Sequence, residues 1–321
     1  MRRESASLGA AARPILVLTG PTGSGKSDWA VALAQAAPVE IISVDSAQVY
    51  RGLDIGTAKP ERAVRARIPH HLVDVCDPAE SYSAGRFVGE ALAAIASIEA
   101  RGKVPLLVGG TMLYLRALLQ GLAPLPQASA AVRAELDARA AELGWPALHA
   151  ELARRDPQAA ARIAPADGQR IQRALEVVYT AGVPISELQR ASVSPLAGRA
   201  VQYWMLAPAD RSALHQRLGA RFAGMMAAGF LDEVRQLRDR GDLTPALPSM
   251  RAVGYRQLWS HLAGEVSLDV AAERAVSATR QLAKRQLTWM RSEPAGIWLD
   301  PQRGPVSWIK DIQAWLGGFG F

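Results

Sequence analysis

The sequence predicts an α/β protein: a parallel β-sheet flanked by helices and interrupted by an all-helical insertion. Three observations carry this. Gly20-Pro21-Thr22-Gly23-Ser24-Gly25-Lys26-Ser27 has the form G-x-x-x-x-G-K-[ST], the P-loop pattern. Strand-like apolar runs alternate with helix-like stretches through residues 14–120, a rhythm that implies parallel pairing with helices on both faces. Past Gly121 the strand pattern stops, and a stretch rich in Ala, Arg and Glu takes over until Val201. The expected class is thus a P-loop NTPase-like sheet. Residues 13–121 and 201–321 form its core, and residues 122–200 form the helical insertion.

The elements follow in order. Pro14 and the apolar run Ile15 to Thr19 read as a buried strand, and residues 28–34 have helical composition. Strand, glycine turn and helix is the setting a phosphate cradle needs. Glycines let backbone N–H groups turn inward around a phosphate chain, and the helix N-terminus adds its positive dipole end. There Lys26 neutralises phosphate charge and the Ser27 hydroxyl ligates Mg²⁺. Val39 to Val44 read as a second strand, ending at Asp45 and Ser46. Residues 70–75 read as a third, weaker one. Residues 83–100 form an amphipathic helix with Phe87, Ala91, Leu92, Ile95 and Ile98 inward and Gly102 as its stop. Residues 104–108 are the next strand, closing on Gly109-Gly110-Thr111, and a helix follows over 112–119. Parallel sheets bind ligands beyond the carboxyl ends of their strands. Three strands end there in polar groups: the glycine loop, Asp45 and Thr111.

Residues 122–126 read as a linker. The insertion reads as helices broken at Gly144-Trp145-Pro146, at Asp156-Pro157 and at Pro165. Within it Arg170 and Arg173 share a helix face, with Gln169 and Gln172 on the same side. Residues 201–206 return to strand. Asp210 caps a long helix with Leu214, Leu218, Phe222 and Met225 on one face and Arg217 and Arg221 on others. A helix over 230–240 ends at Gly241. Residues 247–257 form a turn rich in base-capable side chains, residues 267–291 a long helix, and residues 297–299 a late strand.

At 321 residues and 49% hydrophobic content the chain can bury a sizeable core, as one large domain with an insertion or as two domains. The single cysteine, Cys76, excludes an internal disulfide and fits a reducing cytoplasm. Residues 1–12 read as a tail without the apolar stretch of a secretory signal. No apolar run approaches the roughly 20 residues of a bilayer span, so no membrane is expected. His70 and His71 lack the spacing and partners of a metal site and are expected to be structural. A net charge of +7 and a pI of about 9.9 favour a polyanionic partner. Arg280, Lys284, Arg285 and Arg291 fall in one stretch with no acid between them. Arg251/Tyr255/Arg256 and Lys284/Arg285/Gln286/Trp289 interleave cations, amides and aromatics, side chains that contact phosphates and base edges and stack on bases. Beside a phosphate cradle they point to an enzyme that presents a nucleic-acid base to a bound phosphate compound. Two other readings share these features: a small-molecule or nucleotide kinase, and a non-catalytic RNA-binding protein.

Longer stretches carry a resemblance. They are GPTGSGKS at 20–27, DSAQVYRGLDIGTAKP at 45–60, HHLVDVCDP at 70–78, YSAGRF at 82–87 and GKVPLLVGGTMLYLRALLQGL at 102–122. DGQRIQRALEV at 167–177, GDLTPALPSMRAVGYRQLW at 241–259 and ATRQLAKRQLTWMR at 278–291 complete the set. On these the chain resembles the tRNA dimethylallyltransferases from about residue 14 to residue 300. Gly23 and Ala47 stand where relatives often have Ala and Met.

The resemblance implies transfer of the dimethylallyl group of dimethylallyl diphosphate to N6 of the adenosine just 3′ of the anticodon. The tRNAs are those reading codons that start with U. It implies Asp45 as general base, Thr111 as a residue of the adenine site and Arg221 on the departing diphosphate. Gly20 to Ser27 then grip the diphosphate, with Mg²⁺ on Ser27. It also implies tRNA contacts from Asp45, Ser46, Ala47 and Gln48, and from Gln169, Arg170, Ile171, Gln172 and Arg173. Further contacts fall to Arg251, Ala252, Val253, Gly254, Tyr255 and Arg256, and to Lys284, Arg285, Gln286, Leu287, Thr288, Trp289, Met290 and Arg291. Arg133 is expected on the RNA backbone. The partners are the tRNA anticodon stem-loop and the allylic diphosphate, and the expected state is a cytoplasmic monomer.

Overall fold

The computed structural model describes residues 13–321 apart from Ala128 and Pro294; residues 1–12, read as a tail, lie outside the described residues. Contacts divide the chain into two units. One holds the chain up to Leu115 together with Gly198–Phe321, and the other is Arg116–Ala197.

In the first unit β1 (Ile15–Thr19) leads through the glycine loop into α1 (Lys26–Ala36) and β2 (Val39–Val44). Then come α2 (Arg62–Arg67), β3 (His70–His71), α3 (Ala84–Ala100), β4 (Val104–Gly109) and α4 (Met112–Gln120), whose last residues lie past Leu115. The second unit is helical: α5 (Ala130–Leu143), α6 (Trp145–Arg155), α7 (Pro157–Ala160), α8 (Gly168–Ala181) and α9 (Ile185–Arg190). The chain returns to the first unit as β5 (Val201–Leu206), α10 (Arg211–Ala227), α11 (Phe230–Asp239), α12 (Tyr255–Leu262), α13 (Leu268–Arg291), β6 (Ile297–Leu299) and α14 (Val306–Gly317).

The six strands pair in the order β3-β2-β4-β1-β5-β6, every pair parallel. Register sets the site. Thr19 lies opposite Gly109, and Gly109 opposite Val44. β1, β4 and β2 therefore release Gly20, Gly110 and Asp45 at one level. That close approach requires Gly109, because a Cβ there would stand 2.0 Å from the Val44 carbonyl oxygen. β1, β2 and β4 are buried along their whole length, as strands covered on both faces must be. One core beneath them joins Leu16, Leu18, Leu33, Leu106, Trp204 and Trp308. The Trp308 ring lies 5.4 Å from Trp29 of α1 and 5.7 Å from Trp204 of β5, centroid to centroid.

Three expectations need correction. The third strand covers only His70–His71, pairing with Ile41 and Ile42. Leu72 and Asp74 then turn the chain away with φ of 62° and 60°. A buried lysine holds that turn: Lys59 Nζ donates to the Tyr50 carbonyl at 2.8 Å and to Asp54 and Asp74 at 2.6 Å each. The turn over 247–257 gives way at Tyr255 to a helix, α12. Helices α2 and α14 also form where the sequence reading placed none. His71 is structural as expected, its Nε2 2.8 Å from buried Glu40 of β2.

The helical unit breaks where the sequence reading placed breaks, and once more between α8 and α9 at Gly182 and Pro184, where it placed none. Its core is Leu136, Leu148, Leu152, Ile171 and Leu175. Within it Glu176 is fully buried. Its carboxylate accepts from the Ser129 N–H at 2.7 Å, Arg133 Nε at 3.0 Å and Arg173 Nη1 at 2.6 Å. Burial pushes the Glu176 carboxyl up, but these donors outweigh it and hold the group below its ordinary value.

Candidate active site

The glycine loop adopts the conformation its sequence requires. Gly23 and Gly25 have φ of 78° and 89°, open to glycine at little cost. Gly25 is also the N-cap of α1, and no side chain caps that helix. Its first N–H groups are left for a ligand, at the positive end of the helix dipole. Arg217 and Arg221 reach the loop from α10. Arg217 Nη1 donates to the Gly23 carbonyl at 3.2 Å, and Arg221 Nη1 to Thr22 Oγ1 at 3.4 Å. Burial pushes the Lys26 ammonium down to about 8; Asp45 opposes that and Arg221 adds to it. Burial likewise lowers the Arg221 guanidinium, against the pull of Asp45. Two desolvated cations thus stand in a pocket that also holds the carboxylates of Asp45 and Asp28, and the uncapped N-terminus of α1 adds donors suited to an anionic guest.

Asp45 follows β2. Its Oδ1 accepts the N–H groups of Ala47 at 2.8 Å and Gln48 at 3.2 Å. Its Oδ2 takes part in neither bond. One oxygen fixes the carboxylate, and the other is left to react. Thr111, at the tip of β4, accepts from the Ser46 N–H at 3.0 Å and donates to Ser46 Oγ at 3.3 Å. It braces the loop that starts with Asp45.

A cavity of about 390 Å³ joins the glycine loop to Asp45, but Thr111, expected in the adenine site, is not part of its lining and acts on it only through the loop it braces. Thr22, Lys26, Ser27, Asp45, Arg221 and Gln286 line it, and it runs on past Gln48 and residues 56–58 to residues 252–255. Ser27 is exposed at the first turn of α1, on the same cavity as Asp45. Among the described residues no group of three His, Cys, Asp or Glu could enclose a metal ion. A hydroxyl, a carboxylate and the oxygens of a bound phosphate suit Mg²⁺, which keeps several waters and takes few protein ligands. The residues present fit that ion.

The remaining residues singled out from sequence divide by burial. Arg251, Arg256, Lys284, Arg285, Thr288 and Arg291 are exposed, and Trp289 is half-buried. Leu287 and Met290 anchor α13 in the core, so their side chains are not offered to RNA. Tyr255 is also buried, its ring 4.9 Å from Phe230 and its hydroxyl on Glu233. Gln286 turns inward: its Oε1 accepts the Thr22 N–H at 2.9 Å and its Nε2 donates to the Gly110 carbonyl at 2.9 Å. Within the helical unit Gln169 and Arg170 are exposed, Ile171 is core, and Gln172 and Arg173 bind Asp137 and Glu176. The four polar side chains of that stretch therefore do not form one outward face. Arg133, expected on an RNA backbone, is likewise engaged by Glu176.

One residue escaped the sequence reading. Glu233 of α11 accepts the N–H groups of Asp54 at 3.0 Å, Ile55 at 2.7 Å and Gly56 at 3.1 Å. It thereby sets the cavity wall at residues 56–58. A Cβ on Gly56 would come within 2.1 Å of the Phe230 ring, so only glycine fits there.

Comparison with known proteins identifies the chain's relatives. The family model described as IPP transferase matches residues 48–293, and one described as isopentenyl transferase matches residues 14–67. A tRNA dimethylallyltransferase of Bordetella petrii is 57% identical over 298 residues, covering 92% of this chain and 95% of that protein. One of Cupriavidus taiwanensis is 59% identical over 286 residues, with 88% and 89% covered. Among solved structures, a tRNA isopentenylpyrophosphate transferase of Bacillus halodurans superposes with a TM-score of 0.69 at 35% identity, covering 96% of each chain. A eukaryotic dimethylallyltransferase acting on tRNA superposes at 0.76 with 29% identity, covering 90% of this chain and 74% of the other.

Proposed function

The chain belongs to the IPP transferase family of tRNA dimethylallyltransferases, and on that premise we propose how one cavity serves both of its substrates. The protein is a prenyltransferase acting on tRNA. We infer that dimethylallyl diphosphate is the donor and that N6 of the adenosine 3′ of the anticodon is the acceptor, in tRNAs reading codons that begin with U. The observation that carries the reading is that the glycine loop, Lys26, Arg221 and Asp45 line a single cavity.

As the allylic C–O bond breaks, negative charge grows on the diphosphate. The loop N–H groups, Lys26 and Arg221 face that charge in a site from which water is partly excluded, where such stabilisation is largest. Ser27 would hold Mg²⁺ in this site, and the ion would add to the neutralisation of the departing diphosphate. The N6 lone pair attacks the allylic carbon, and the proton it sheds passes to Asp45. Thr111 keeps the Asp45–Gln48 turn in place for that transfer. The adenine must leave its stack to arrive, at a cost of a few kcal/mol. Arg251, Arg256, Lys284, Arg285, Thr288 and Arg291 in the first unit, and Gln169 and Arg170 in the second, supply exposed tRNA contacts. The protein acts as a cytoplasmic monomer. Among the described residues no helix is long and apolar enough to cross a membrane.

Mass spectrometry of tRNA incubated with the protein, Mg²⁺ and dimethylallyl diphosphate tests this. A dimethylallyl increment on one anticodon-loop adenosine is expected. A nucleotide kinase would share the loop and Asp45, but family membership does not favour it. Phosphoryl transfer from ATP to a small acceptor without RNA would overturn the prenyl-transfer reading.

A further inference from the structure

Helix α13 presents three kinds of side chain at helical spacing. Ala283, Leu287 and Met290 are buried in the core. Lys284, Arg285, Thr288 and Arg291 are exposed. Thr279, Leu282 and Gln286 line the cavity. Gln286 reaches furthest into the site: it accepts the Thr22 N–H and donates to the Gly110 carbonyl, both at 2.9 Å. Thr22 belongs to the phosphate cradle, and Gly110 immediately precedes Thr111. A single amide thus bridges the end of β1 to the end of β4. Its seat depends on Gly110, where a Cβ would lie 2.3 Å from Gln286 Nε2.

Resting on the transfer reading above, we propose that Gln286 is a positioning residue: from the RNA-facing helix it holds the diphosphate cradle in register with the Asp45–Thr111 end of the site. It does not contact RNA. Its bonds run to backbone on both sides, and the neighbours on α13 that face solvent are other residues. A helix that tRNA grips on one face and that bonds the cradle on another couples the two substrates: tRNA binding tightens donor binding, and donor binding tightens tRNA binding by the same factor.

The test compares the unaltered protein with Gln286→Met, which keeps the volume and removes both bonds, and with Gln286→Glu, which keeps the acceptor but loses the donor to Gly110 and sets a negative charge beside the diphosphate. Donor KM, kcat, tRNA Kd across a salt series and melting curves are measured for each. In Gln286→Met the donor KM is expected to rise about tenfold, as befits two net hydrogen bonds. Its tRNA Kd without donor and its salt slope stay unchanged, and the tightening of donor binding by tRNA is lost. Gln286→Glu raises the donor KM further. Gly110→Ala, which evicts the amide from the other side, reproduces the Gln286→Met pattern. A higher tRNA Kd with a shallower salt slope would make Gln286 an RNA contact and overturn the proposal. So would unchanged donor KM and kcat in all three folded variants. Failure of the unaltered protein to prenylate tRNA would instead overturn the transfer reading itself.

Discussion

The Tyr255 hydroxyl donates a 2.5 Å hydrogen bond to Glu233, the carboxylate that also receives the N–H groups of Asp54, Ile55 and Gly56. A tyrosine in an arginine-rich stretch is therefore a strut, not a stacking platform. One carboxylate pins two walls of the cavity, residues 56–58 and the start of α12. Burial, and next the Glu233 charge, push the Tyr255 phenol well above its ordinary value, so it stays a donor. Glu233→Ala leaves these donors without their acceptor. The expected cost is about 3 kcal/mol of stability, read from urea unfolding, together with a raised donor KM. An unchanged midpoint would show that the loop holds without this carboxylate.

Asp45→Asn keeps an oxygen for the Ala47 and Gln48 N–H groups while removing the proton acceptor. Turnover is expected to fall about 10²–10⁴-fold with tRNA affinity preserved. Parallel losses in both would make Asp45 a binding residue alone.

Lys26 gives the donor step a pH signature. With its ammonium lowered to about 8, the donor-free site carries that charge below this pH and loses it above. Donor kcat/KM should hold level up to about pH 8 and then fall by about tenfold per pH unit. Lys26→Arg should show no such fall. A decline at the same pH in Lys26→Arg would assign it to another group.

Arg285 and Leu287 stand two positions apart on α13, one exposed and one buried. Arg285→Ala should weaken tRNA binding and reduce the salt slope by about 0.7–0.9. Leu287→Ala should leave the slope alone and cost about 2–4 kcal/mol of stability. Filter binding across a salt series and thermal melts separate them; a reversed pattern would place α13 the other way round.

Arg133→Ala tests the helical unit. Removing one of the two guanidiniums on buried Glu176 should lower the unfolding free energy by about 1–3 kcal/mol, without changing the tRNA salt slope. The pH sense follows from Glu176. Its carboxyl sits below its ordinary value when folded, so its contribution is complete above the ordinary carboxylate range and fades as pH falls through the lowered one. Acid unfolding should be shallower in Arg133→Ala.

The catalytic end of the fold was legible because its signals are local. A strand, a glycine loop and a helix are contiguous, and Ser83, Asp210 and Ser267 cap their helices as their side chains suggest. Asp45 was legible as the first polar residue past a buried strand. The rest depends on partners distant in sequence. Gln286 bonds a residue 264 positions away. Glu233 meets residues 54–56 only in the folded chain. Lys59, an ordinary surface residue by composition, is buried among Tyr50, Asp54 and Asp74 and ends the edge strand early. For α14 the sequence did hold a signal: Trp308, Ile312 and Leu316 recur at helical spacing and are buried together.

The tryptophan cluster beneath the sheet offers an optical test of the cradle. Trp29 sits one turn beyond Lys26 on the helix that starts at the cradle, and Trp308 couples it to Trp204. A change in indole emission on adding inorganic diphosphate is the expected sign that α1 shifts when the cradle fills. The fluorophores that would report it are ones the chain already carries.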